Sequence, residues 1–568
     1  FSPDAFSPDA FSPDAFSGAQ TRSLLGVSAF QGTAGEGLIV NSWDNTGYFY
    51  VRVRGANSAF DQQSPFHLEV SALSGSCGAV EPITTTSTFT ADAGNYKTII
   101  LTDFSRLVGT AAEKAALQSQ LATFAARSEV AGAIVDVGTD ARVNAANAQA
   151  DAHLSCPYAK NLVAGTIRDI VDAYWTLNPS LAYVLIVGDD GVVPFFRYPD
   201  NALLANENNY VPPVRDASAS QASLRLGYVL GQDAYGSRVD ISSKNTTLPV
   251  PGLAVGRLVE TAVDATDMLN AYLTTNGGQV DLTTPPLVTG YDFLADAATA
   301  VQSELEAGTG ETADTLIADS NLSPADPAAW TADDLRNLLL GSRHDITFLA
   351  GHFSANSALA ADYSTRLTTN DLSNSSVDLQ NAIIFSAGCH AGYNIVDGDS
   401  IPFDTRNLDW MQAFAHKGAT VLAGTGYQYG DTEFIEYSER LYLEFSRQLR
   451  TGTGAVSVGQ AMVAAKQDYL ANTAQLRGIH EKALIEATLF GFPMLSVDMP
   501  GARLSPTSDT SVVGQVTPAT TNPGQSLGLS TADVTVTPVF SQHTVELTNL
   551  ADANTPVTAF YLSGSDGI

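Results

Sequence analysis

Two apolar runs constrain the fold of this chain more than any other feature. They are DITFLAG, from Asp345 to Gly351, and NAIIFSAG, from Asn381 to Gly388. Both are continuous rather than alternating, so they read as strands buried on both faces, as in a parallel sheet covered by helices. Each stops at a glycine and runs at once into a reactive side chain, His352 after Gly351 and Cys389 after Gly388. In an open parallel sheet the ligand crevice lies beyond the carboxyl ends of the strands. Two neighbouring strands ending this way would bring an imidazole and a thiol to one rim.

The same pattern extends on both sides. KTIILTD, VAGAIVDVG, LAYVLIVGDD and LAVGRL read as strands between amphipathic helices over 95–275. The pattern restarts over 276–499, with strands at PLVTGYDF, TLIADS, the two runs above and ATVLAGTG. Helices are expected at Asp431 to Leu449, Ser457 to Asn472 and His480 to Leu489, with GFPMLSV closing the unit. Strands alternating with helices predict two consecutive α/β units with mostly parallel sheets. Residues 23–94 carry GYFYVRVRG and FHLEVSAL and read as a small β-sandwich module with a Thr-rich linker. Residues 500–568 read as a second small β-sandwich, cut short. Residues 1–22 hold FSPDA three times over and read as a linker or a self-assembly element.

The chain has 568 residues, enough for several domains, and 44% of them are hydrophobic, enough for large cores. It opens on Phe1 without a signal-peptide pattern, which suggests a piece of something longer. Sixty acidic residues against 28 basic ones give a net charge of −32. Such a surface repels nucleic acid and anionic lipid. No apolar run is long enough for a spanning helix. The composition resembles that of exported surface proteins, so an extracellular or cell-surface location is expected. Of the three cysteines, Cys389 is left free by its motif, while Cys77 and Cys156 either pair or remain two separate thiols.

FLAGHFSAN and IIFSAGCHAGYN, together with VLIVGDDGVVP, LAVGRL, the helix after Trp330 and GFPMLSV, resemble the gingipain-type cysteine peptidases, relatives of clostripain and caspases. The resemblance covers roughly 95–500 and implies a caspase-like fold. It also implies a protein or peptide substrate, with Cys389 as nucleophile and His352 as acid and base. The amides of Cys389 and Phe353 would hold the oxyanion, and no cofactor would be required. By the same comparison Asp292 would stand near the catalytic histidine. Asp296 would line the specificity pocket and select a basic residue before the scissile bond, with Tyr427 or Tyr429 as its aromatic wall. The family has glycine after the histidine, where this chain has Phe353, whose side chain would narrow the cleft. His390 reads as a supporting residue and His344 as a surface or capping one.

Asp189 with Asp190, and Asp397 with Asp399, are acidic turns that could bind structural calcium, although such turns are more often simply solvated. Two functions follow from different classes. One is an exported cysteine endopeptidase, self-processing or not. The other is a peptidase-like domain kept as a structural or adhesive surface protein.

Overall fold

A computed structural model describes the chain from Cys77 to residue 505 apart from short interior segments, with a few short stretches on either side. The FSPDA repeat and nearly all of the two flanking β modules lie outside the described residues. Beyond 505 three short antiparallel strands are described, Val534–Thr535, Thr548–Asn549 and Asp552–Pro556.

Ten strands build one sheet. In chain order they are β1 (Thr98–Thr102), β2 (Gly132–Asp136), β3 (Tyr183–Val187), β4 (Ala254–Leu258), β5 (Leu287–Gly290), β6 (Asp314–Ile317), β7 (Ile346–Gly351), β8 (Ile383–Gly388), β9 (Thr420–Gly424) and β10 (Ala487–Phe490). Across the sheet the order is β6-β5-β7-β8-β9-β10-β4-β3-β1-β2. The expected doubly repeated α/β pattern is present, and its two halves share this sheet. β10 makes the join, pairing antiparallel with β9 and parallel with β4. The carboxyl ends of β7 and β8 therefore lie at the sheet edge opposite to those of β3 and β4.

β10 falls where the sequence pattern favours helix. The helix there is Gly478–Glu486, and the chain turns to strand at Ala487. The physical reason is the vacancy between two sheets, since unpaired strand edges must find partners. GFPM makes the turn out of that strand, and only Ser496–Asp498 forms a further strand, in a small separate sheet.

Helices cover both faces. On one face a core built around Ile346, Phe348, Ile383 and Phe385 packs against the Tyr437–Leu449 helix through Tyr442 and Phe445. On the other, Leu349, Ile384 and Val421 meet Trp410 and Phe414 of the Trp410–Ala415 helix. Successive strand residues point to opposite faces, so strands buried on both sides must be apolar throughout. Cys77 and Cys156 form a disulfide with Cα atoms 5.1 Å apart, tying the segment before β1 to the start of the Pro157–Leu177 helix.

Candidate active site

β7 and β8 are adjacent, parallel and in register along their whole length, with Ile346 opposite Ile383 and Gly351 opposite Gly388. The next residues are His352 and Cys389. Neighbouring strands lie about 4.8 Å apart, so both side chains leave the sheet from adjoining points on one edge. Both are half-buried.

Local packing explains why each strand ends in glycine. Gly351 has φ +152°, and a Cβ there would lie 1.9 Å from the Tyr291 ring. At Gly388 a Cβ would lie 2.3 Å from the Phe353 ring. Phe353 is thus turned inward, buried against Gly388 and Trp410. It does not narrow the cleft. Its position needs no left-handed backbone either, because Gly351 takes the unusual φ two residues earlier. In the turn that follows, Ser354 N–H donates to Ser357 O and Leu359 N–H donates to His352 O. Phe353 and Ala358 between them form a non-hydrogen-bonded pair, in which the Phe353 N–H points away from the partner segment.

The His352 ring is surrounded by aromatic rings, with Tyr291 at 5.1 Å, Phe293 at 5.3 Å and Tyr363 at 5.7 Å between centroids. Tyr291 is anchored by donating its hydroxyl to the Leu359 carbonyl. Cys389 is the free cysteine among the described residues, and its Sγ lies 3.5 Å from the Gln428 carbonyl oxygen. Burial pushes the thiol up to about 12, and the nearby Glu486 and Glu207 carboxylates push in the same direction. The Gln428 backbone and the Lys482 charge oppose this rise without cancelling it.

Beneath Cys389 lies a buried charged network. Lys482 reaches Asp200 at 2.8 Å, Glu207 at 2.7 Å and Glu486 at 3.7 Å. Glu207 also lies 2.9 Å from His390 Nε2 and accepts the Tyr427 amide. Burial opposes charge on Glu207, but Lys482 and His390 outweigh it and hold the carboxyl down at about 2. Burial carries Glu486 the other way, well above the usual carboxylate range. His390 stacks on Tyr210 with ring centroids 3.4 Å apart and has φ +55°. Its ring is thus buried inside the charged network.

Asp292 opens a short 3-10 turn one residue after β5, at the same sheet edge, and its side chain lies outside the described residues. Asp296 is exposed in the first turn of the Ala295–Thr309 helix, where its carboxylate accepts the Ala297 amide. Tyr427 is half-buried against His390, with centroids 4.5 Å apart. Tyr429 is buried, its hydroxyl donated to the Leu204 and Ala205 carbonyls. Asp189 accepts the Gly191 and Val192 amides, and Asp190 is paired with Arg197. Asp397 accepts from Gln412, and Asp399 ends the 3-10 turn that Asp397 begins. Among the described residues no group of three or more His, Cys, Asp or Glu side chains could hold a metal ion. His344 is not on the surface. It is 3% exposed, with Nδ1 2.9 Å from the Pro285 carbonyl oxygen, because the chain before β7 tucks under residues 283–285.

Sequence reasoning missed Glu207, Lys482, Glu486 and Gln428. A signal existed for two of them. Lys482 and Glu486 stand four apart in the otherwise largely apolar stretch ALIEATLF and its preceding turn, and charges at that spacing on a buried helix must be paired.

No curated protein matches the chain. Similar solved structures include the Arg-specific cysteine proteinase gingipain R, at 13% identity over 72% of this chain and 80% of that one, with a TM-score of 0.46. Another is the complex of Porphyromonas gingivalis RgpB pro- and mature domains, at 13% identity, 70% and 79% coverage and a TM-score of 0.44. The model of peptidase family C25 matches residues 92–498, which span the whole sheet. The chain therefore belongs to peptidase family C25, the gingipain family of cysteine peptidases.

Proposed function

We propose that the protein is an exported cysteine endopeptidase in which Cys389 and His352 form the catalytic dyad. The observation that carries this reading is the register of β7 with β8, which aligns Gly351 with Gly388 and releases both side chains at one edge. Cys389 starts as a neutral thiol. As Sγ attacks the scissile carbonyl, a C–S bond forms and the thiol proton passes to His352. The carbonyl oxygen takes the electron pair and is held by the Cys389 and Phe353 amides. His352 then gives its proton to the leaving amine, and the C–N bond breaks. Water, activated by His352, hydrolyses the thioester and restores the thiol. The substrate is a protein or peptide, with a basic residue favoured before the scissile bond.

One observation favours the structural or adhesive alternative, namely the thiol pushed up to about 12. The two readings separate on one experiment. Purified protein should hydrolyse unstructured peptides, and an acyloxymethyl ketone should label Cys389 alone. Cys389→Ala should reduce hydrolysis to background while unfolding within a few degrees of wild type, since a thiol-to-methyl change is small. Hydrolysis by Cys389→Ala at the wild-type rate would exclude this nucleophile.

A further inference from the structure

The Pro157–Leu177 helix carries on one face a cleft that the peptidase mechanism does not use. The cleft measures about 360 Å³ and is walled by the rings of Tyr158, Phe196, Tyr198 and Tyr228. Phe196 and Tyr198 stand on one side of the Phe196–Pro199 strand, with ring centroids 6.2 Å apart, and Tyr228 opens the strand paired with it. Asn161 ties that strand to the helix, its side chain accepting the Arg197 amide and donating to the Arg197 carbonyl. A cleft of this size suits a few side chains of an extended peptide.

Two observations indicate that the cleft is built to be filled. The first is Gly165. Tyr158, Asn161, Gly165 and Arg168 are spaced three, four and three apart, so they form one stripe along the helix. Among the described residues nothing lies within 4 Å of a Cβ built on Gly165. Glycine inside a helix costs stability relative to alanine, and no contact within the described structure requires it here. The second is Arg168. Its terminal nitrogens donate to Asp240 and to the Ser237 carbonyl, but its Nε is buried without a partner. A buried donor is costly to leave unmet.

We propose that this cleft binds the FSPDA repeat of the same chain. Each copy offers an aromatic ring and a proline to the aromatic walls and an aspartate to Arg168 Nε, as with Phe6, Pro8 and Asp9 of the middle copy. Docked as a polyproline II segment, with three residues per turn, a copy brings its Phe and its Asp to one side. The bare side of Gly165 lets the docked backbone approach the helix. Charge favours the same site. Residues 1–16 contain three aspartates and no basic residue, and a chain of net charge −32 repels such a segment over most of its surface. In the cleft both arginines are paired, Arg168 with Asp240 and Arg197 with Asp190, so the repeat meets a nearly neutral site with one donor to spare. The tether favours docking within one molecule. Cys77 is bonded to Cys156, two residues before Tyr158, so the chain leading back to the repeat starts beside the cleft. Such tethering raises the local concentration of the repeat above that of any free competitor.

The test needs no peptidase activity and stands apart from that reading. Full-length protein carrying p-benzoylphenylalanine in place of Phe6 is irradiated at low concentration, and its adducts are mapped by mass spectrometry. The expected adduct joins position 6 to the Tyr158, Arg168, Phe196 or Tyr228 region within a single chain. Gly165→Leu puts a side chain into the cleft. Leucine is a better helix former than glycine, so this variant should melt no lower than wild type. It should nonetheless lose most of the adduct. Tyr158→Ala, which removes an exposed ring from the first turn of the helix, should lower the adduct too, and it decides the matter if Gly165→Leu fails to fold. Adducts scattered over the surface, adducts joining two chains, no adduct in the cleft, or a cleft adduct that survives folded Gly165→Leu unchanged would overturn the proposal.

Discussion

At the end of β3, Gly188 is followed by Asp189 and Asp190, and at the ends of β7 and β8, Gly351 and Gly388 are followed by His352 and Cys389. The polar groups at the first edge are locked. Both oxygens of Asp190 take bonds of 2.6 Å from Arg197, a fully buried guanidinium. Arg257, also buried, donates to the Gly188, Asp189 and Val193 carbonyls. At the second edge His352 is held by ring packing and Cys389 contacts a carbonyl, and both keep some exposure. The same strand-glycine-polar pattern thus serves two ends. A charge tied down by several buried partners can close an edge permanently. A group that must exchange protons and meet substrate has to keep a face open.

This contrast can be broken most forcibly at the locked edge. Asp190→Ala leaves Arg197 buried without its partner, and the expected cost is about 3–5 kcal/mol. Denaturant unfolding reads that loss, and activity per folded molecule should be unchanged. A cost below about 1 kcal/mol would mean that the edge is not held by this pair.

A smaller effect is expected where the open edge is packed. Gly388→Ala would drive a methyl group into the Phe353 ring, costing about 1–3 kcal/mol and shifting Cys389 off its position. Turnover should fall more than stability does, and the double variant Gly388→Ala with Phe353→Ala should recover part of both.

The pH dependence of alkylation tests the character of the open edge. With the Cys389 thiol pushed up to about 12, the thiolate fraction rises about tenfold per pH unit across the neutral and alkaline range. The iodoacetamide rate in ligand-free protein should follow that slope without a plateau up to pH 9. A plateau near pH 7 would instead indicate a preformed thiolate.

The smallest effect is expected at Asp296, exposed on its helix. Asp296→Asn should change stability by no more than about 0.5 kcal/mol, as scanning calorimetry can show.

Most of the sheet could be read from the chain, because a strand buried on both faces must be apolar along its length. That criterion found nine of the ten sheet strands in the sequence and missed the short β10, whose residues Ala487–Phe490 are as compatible with a helix end as with a strand. His352 and Cys389 were visible because each directly follows a glycine that ends such a strand. Their partners were not. Glu207 comes from a loop of the first unit and Lys482 from the helix before β10, and each is far in sequence from Cys389. The orientation of Phe353 was equally hidden, since its identity suggests a bulky group at the rim while its contacts bury the ring under Gly388.

What the sequence by itself determined is the periodicity, and with it the strands, the helices and the two residues at the ends of β7 and β8. Those are local properties, set by which side chains can face a core and which glycines let the chain turn away. Only the tertiary structure decided that β10 fuses two sheets into one and that Lys482 neutralises carboxylates from distant segments. These depend on long-range pairing, where burial makes each charge and each unpaired strand edge too costly to leave alone, whatever its distance along the chain.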